Sequence, residues 1–192
     1  MAPAPPSEAT ALLALMLFHD SRKNARTNDA GDIVLLEEQD RSRWNRDQIA
    51  EALSLVTDAF KNGAGPFALQ AAIAAEHCRA ARAEDTNWPQ IARLYAALEQ
   101  LQPSPVVALN RAVAVAMVHG PEKGLDLVEE LRAAGSLEDY HLFHAARADL
   151  LRRLGVADEA AASYTRALEL VTNESERRFL ERRLREVQAP VA

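Results

Sequence analysis

The sequence has a single cysteine, Cys78, few aromatic residues (5%) and almost no β-branched runs. One cysteine rules out an internal disulfide and suits a reducing cytoplasm, the expected location. In an Ala-rich stretch Cys78 reads as a small packing side chain rather than a reactive thiol. The lack of Val, Ile and Thr runs argues against sheets. No apolar run approaches the ~20 residues that a membrane span needs, and the short apolar run Ala11 to Phe18 has no basic stretch before it, so it makes a poor signal peptide. The net charge is −6, and no basic face stands out, which disfavours direct contact with DNA or RNA. No phosphate loop, dinucleotide fingerprint, Gly-x-Ser-x-Gly elbow or Cys/His/Asn set occurs. The expectation is a non-enzyme with no cofactor.

Helix formers fill the chain instead. Ala, Leu, Glu and Arg dominate, all with high helix propensity. Met1 to Pro6 reads as a flexible leader, because proline cannot propagate a helix. Ser7 is a plausible N-cap, and Glu8 sits well against the helix N-terminus that follows. We place the first helix at 8–20. It is apolar on nearly all sides and so asks for burial all round. His19 at its end is favoured as a cation by the helix dipole. The polar stretch Ser21 to Asp32 is loop, Ile33 to Leu36 is a brief strand or helical turn, and a helix spans 46–61. Asn62-Gly63-Ala64-Gly65-Pro66 stops it. Further helices are placed at 67–83, 88–101, 105–118, 121–134, 138–154, 156–171 and 174–187. Pro89, Pro105 and Pro121 each stand at a helix start, where proline is tolerated.

These helices repeat. In Tyr140 to Thr172, Ala148 lies in a first helix, Gly155 at a turn, and Ala160, Tyr164 and Ala167 in a second helix at spacings of four and three. Such positions share one helix face: small residues let two helices touch and the aromatic fills the gap. Ile91, Tyr95, Leu98 and Pro103 form an earlier, degenerate unit, and Ala112, Gly124, Val128 and Leu131 another. Tyr95, Val128 and Tyr164 lie 33 and 36 residues apart, bracketing the ~34-residue tetratricopeptide (TPR) period. The expected fold is all-α, with TPR-like helical hairpins stacked in a right-handed superhelix behind an N-terminal helical segment. The organisation expected is a leader at 1–7, a helical segment at 8–62 with an Asp40–Trp44 corner, and repeats at 66–188. The charged last helix, with Phe179, Leu180 and Leu184 as its apolar residues, reads as a solvating cap.

Candidate sites are few. His141 and His144, spaced i, i+3, could share a metal, but no further ligand is evident and no metal site is expected. Glu37, Glu38 and Asp40 cluster carboxylates that Arg41 and Arg43 would neutralise. Asp40, Arg41, Arg43 and Trp44 combine types enriched at interface hot spots; the other reading is a structural corner with Trp44 in the core and Asp40 capping locally. Asn110 and Arg111 interrupt an apolar helix, and either bond neighbouring backbone or line a groove. With Asp149 they are candidates for the inner face of a stack.

Several stretches resemble the C-terminal extension of a group of bacterial extracytoplasmic-function sigma factors. The most specific are Gln39-Asp40-Arg41-Ser42-Arg43-Trp44 and Ser104-Pro105-Val106-Val107-Ala108-Leu109-Asn110-Arg111-Ala112; Leu12 to Asp20, Gly65 to Ala75, Trp88 to Ile91 and Tyr140 to Leu154 extend the likeness across about 9–187. The family usually has Asp where this chain has Asn45. The resemblance implies a TPR-like extension that follows promoter- and polymerase-binding regions and governs sigma activity. It implies a fragment that lacks those regions and starts partway into the extension. The expected partners are sigma-factor core regions or RNA polymerase, with DNA contacted only indirectly, no membrane, and a homodimer through the N-terminal helix as a further expectation. The alternative implied function is a small-molecule sensor controlling sigma activity.

Overall fold

The computed structural model describes residues 6–61 and 63–189. Among these are nine α-helices, α1 Pro6–Ser21, α2 Arg46–Lys61, α3 Pro66–Arg79, α4 Trp88–Leu101, α5 Pro105–His119, α6 Pro121–Ala133, α7 His141–Arg153, α8 Ala157–Leu170 and α9 Glu174–Gln188, with short 3-10 turns at Lys23–Ala25, Arg41–Arg43 and Ala83–Asp85. No strand forms among the described residues; of Ile33 to Leu36, where a brief strand or helical turn was expected, Ile33 makes an isolated bridge and the rest runs into a turn in which the Glu38 amide donates to the Leu35 carbonyl at 2.8 Å.

Two compact units divide the chain. The first holds Met1–Asn28 and Val34–Pro103, the second Asp29–Ile33 and Ser104–Ala192. The division falls after α4, whereas the sequence reading set its boundary between 62 and 66.

In the first unit α1 packs on both α2 and α3. Its buried face is Ala11, Ala14 and Phe18, and Ala11, Ala59 and Ala68 form a cluster where the three helices meet. Alanines there let the backbones approach closely. Glu8 locks the arrangement. Its buried carboxylate accepts from the amides of Phe67 at 3.0 Å and Ala68 at 3.3 Å, so it serves the N-terminus of α3 as well as lying in the first turn of α1. The opposite face of α1 departs from the expectation of all-round burial: Leu12, Leu13 and Met16 are exposed, Met16 by 60%.

The second unit is a TPR-like stack of helical hairpins, in which α5 packs on α6, α6 on α7, α7 on α8 and α8 on α9. The seam of the first hairpin runs through Gly124, against which Ala112 and Ala116 lie so closely that a Cβ would come 2.9 Å from the Ala112 carbonyl oxygen. Val128 is fully buried beside Leu109, Ala112 and Ala116. In the next hairpin Ala148, Tyr164 and Ala167 share a core with Val171 and Leu180. Val128 and Tyr164 thus fill equivalent gaps. Tyr95, in the first unit, is only half-buried, and Ile91, Leu94 and Leu98 carry the buried face of α4.

Helix ends differ from the sequence-based placements for tertiary reasons. α3 stops at Arg79 because Arg41 Nη1 donates to the His77 and Ala80 carbonyls at 2.6 and 2.8 Å, satisfying acceptors that a continuing helix would have used. α7 starts at His141 because Leu137 is drawn into the core, leaving a turn in which the Tyr140 amide donates to the Leu137 carbonyl at 3.0 Å.

Candidate functional site

The Asp40–Trp44 corner is built from a 3-10 turn, Arg41–Arg43. Asp40 caps it, accepting from the Ser42 amide at 2.9 Å and the Ser42 hydroxyl at 2.6 Å. These bonds hold its carboxyl below the usual range. Arg41 is buried, and its guanidinium serves the end of α3 rather than neutralising Glu37, Glu38 or Asp40. Trp44 is 3% exposed. The guanidinium carbon of Arg41 lies 4.6 Å from its ring centroid and that of Arg22 5.8 Å, so two cations rest on the aromatic face. Asp40 and Arg43 are exposed. A partner could touch those two, while Arg41 and Trp44 lie beneath. Asn45 starts α2 by accepting the Gln48 amide at 3.1 Å. Asn and Asp cap about equally well, so Asn45 does the work an aspartate would do there.

Behind the corner, His77 packs edge-on to Trp88 with centroids 5.3 Å apart. Burial, then the cations Arg22 and Arg41, push its pKa down to about 4. His19 behaves likewise and departs from the cationic reading: burial, then Arg22 and Arg26, lower its pKa, and Arg26 Nη2 donates to the His19 carbonyl at 2.9 Å. The helix end therefore has an arginine where a charged histidine was expected. Burial pushes the Cys78 thiol up.

In the second unit, Asn110 is exposed on α5 and Arg111 half-buried beside it. Asp149 on α7 pairs with Arg152 at 2.6 Å. His141 and His144 do not converge. His141 Nε2 pairs with Glu176 at 2.9 Å, whereas His144 Nε2 meets the Glu138 carbonyl at 2.8 Å. Among the described residues no three of His, Cys, Asp and Glu are grouped to hold a metal.

Sequence reasoning passed over Arg147. It is nearly buried between three helices: Nε donates to Glu129 of α6 at 2.6 Å, Nη1 to the Ser163 hydroxyl of α8 at 2.6 Å, and Nη2 to Glu159 at 3.0 Å. The available signal was its spacing. Phe143, Arg147 and Leu151 recur every fourth position, so an arginine stands on an otherwise apolar face. The end of the polar stretch before Ile33 also finds a role: Asp32 pairs with Arg178 of α9 at 2.6 Å, and the Gly31 carbonyl accepts from the Ser175 hydroxyl at 3.0 Å.

Comparison with known proteins adds three findings. A family of unknown function, DUF6596, matches residues 1–60. An uncharacterized protein of Rhizobium meliloti is 47% identical over 191 residues, 99% of this chain. The chain spans 44% of that relative's length. Among solved structures, a thermophilic TPR protein of Thermus thermophilus is similar with a TM-score of 0.49 and 19% identity, over 74% of this chain and 91% of that one.

Proposed function

We propose that this chain is a protein-docking regulatory module that acts in transcription initiation, by contacting sigma-factor core regions or RNA polymerase. On this reading it holds a partner and transforms nothing. The observation that carries docking is the exposed side of α5 and α7, where Val106, Met117 and Leu142 remain exposed and Asn110 with them. A stack of hairpins presents such a face as a groove for a helix or peptide. The transcriptional part rests on the stretches Gln39 to Trp44 and Ser104 to Ala112 and their likeness to the sigma-factor extension. That the Rhizobium relative contains this block within a chain more than twice as long supports a module working beside other domains.

The test is direct. The promoter- and polymerase-binding regions of a sigma factor of the resembling group, produced as a separate chain, are titrated with this protein in a calorimeter, and core RNA polymerase is titrated in parallel. Saturable binding to either is the expected result. No heat with both would overturn the transcriptional reading.

A further inference from the structure

Folding gathers five arginines of the first unit at one corner. Arg22 and Arg26 follow α1, and Arg41, Arg43 and Arg46 lie in and just after the 3-10 turn Arg41–Arg43. The Asn45 amide donates to the Ser21 carbonyl at 2.9 Å, which seats that turn on the end of α1. Arg22 and Arg41 both rest on Trp44, with guanidinium carbons 5.8 and 4.6 Å from the ring centroid. Arg46 Nη2 donates to the Arg41 carbonyl at 3.1 Å, and Arg26 Nη2 to the His19 carbonyl at 2.9 Å.

Among the described residues none of the five is paired with a carboxylate; their bonds go to carbonyls and to His19. Other arginines hold an acid close by in the chain, as Arg79 holds Glu76 and Arg152 holds Asp149. The acids of this corner are engaged by other groups: Asp20 by Lys23 and Gln48, Asp40 by Ser42, and Glu84 and Asp85 by Arg82. Arg22 and Arg41 are each 8% exposed, and Arg22 Nε is buried without an acceptor. Solvent ions screen such buried charge poorly, so its field adds to that of the exposed cations Arg26, Arg43 and Arg46. The neighbouring imidazoles register the field: burial first, and then these arginines, lower the pKa of His19 and push that of His77 down to about 4.

We propose that this corner docks a short acidic segment of a partner protein, whose aspartates or glutamates pair with Arg26, Arg43 and Arg46. Charge complementarity selects the occupant, and the surrounding charge limits its length. α2 continues with exposed Asp47 and Glu51, and the chain carries a net charge of −6. A long polyanion such as duplex DNA meets repulsion there that a few acidic residues escape. The inference shares with the docking reading only the supposition of a protein partner; it needs neither the α5 and α7 face nor the transcriptional assignment.

The test is fluorescence anisotropy of a labelled octapeptide of alternating Asp and Glu titrated with the intact protein, beside an Asn/Gln octapeptide and a short DNA duplex. Saturable binding of the acidic peptide alone, weakening as salt rises, is the expected result. Arg43→Glu should weaken it at least about threefold, and Arg43→Glu with Arg46→Glu at least about tenfold. A Lys octapeptide should gain affinity for the double variant. Arg185→Glu, an exposed arginine of α9, should leave acidic-peptide binding unchanged. Circular dichroism verifies folding, and the single Arg43→Glu variant decides if the loss of the Arg46 bond to the Arg41 carbonyl unfolds the double one. No binding of the acidic peptide, equal losses in Arg43→Glu and Arg185→Glu, or tighter binding of the DNA through Arg43 would overturn the proposal. Peptide binding that depends on Arg43 upholds it even where sigma regions and polymerase give no heat, a result that removes the transcriptional reading alone.

Discussion

Glu8 and Gly65 are coupled, and the coupling can be measured. Glu8 is 8% exposed, and its carboxylate takes two amides at the start of α3 that have no partner within the helix. Removing a capping side chain costs about 0.5–2 kcal/mol, and a buried donor left bare about 1–3 kcal/mol. Glu8→Ala should therefore cost about 2–3 kcal/mol. Gly65 has φ −105° and ψ −171°, an extended conformation that any residue adopts. Its need for glycine is steric: a Cβ would lie 2.6 and 2.7 Å from the two Glu8 oxygens. Gly65→Ala in the native background should cost about 1–3 kcal/mol through overpacking. With Glu8 already replaced by Ala the obstruction is gone, and the same change should be neutral or stabilise by about 0.4–1 kcal/mol through the unfolded chain. A double-mutant cycle by urea unfolding, read by far-UV circular dichroism, should give a coupling of about 1 kcal/mol or more. Equal costs for Gly65→Ala in both backgrounds would refute the claim that α1 caps α3.

Three more outcomes follow from the packing. Gly124→Ala would stabilise an open helix by about 1 kcal/mol on propensity; against Ala112 and Ala116 it should instead destabilise by about 1–3 kcal/mol, so the sign of the shift in unfolding midpoint decides. Arg147→Met should cost about 2–3 kcal/mol, since Arg147 is 15% exposed and serves three partners, and Arg147→Lys should recover little because a point charge cannot fork; thermal unfolding at low and high salt measures both. His77 has its folded pKa lowered to about 4, below the unfolded ~6.5. The unfolded chain takes the proton first, so this stability is complete above pH ~6.5 and is lost as pH falls toward 4, by about 3 kcal/mol. His77→Gln should flatten that part of the stability profile, and a profile identical to wild type would refute burial of the neutral ring.

Much of the fold was legible in local patterns. Proline at helix starts, Gly120 and Gly155 at turns, and the i, i+4, i+7 recurrence of Ala160, Tyr164 and Ala167 report backbone preference and face periodicity, which act within a few residues. They mark the helices and the seams of the second unit. The candidate site was less legible. Asp40 and Trp44 were visible as a hot-spot pattern, yet the same residues suit a buried corner. The choice depends on the carbonyls of His77 and Ala80, which lie 36 and 39 residues from Arg41.

The sequence by itself determined an all-helical chain of paired helices with small residues at their contacts, because propensity, breakers and periodicity are local properties. Only the tertiary structure decided that α3 joins α1 through Glu8, that Arg147 binds three helices together, and that α1 keeps an apolar face exposed. Each of these depends on which distant groups meet a charge or a side chain once the helices pack, and no local pattern carries that information.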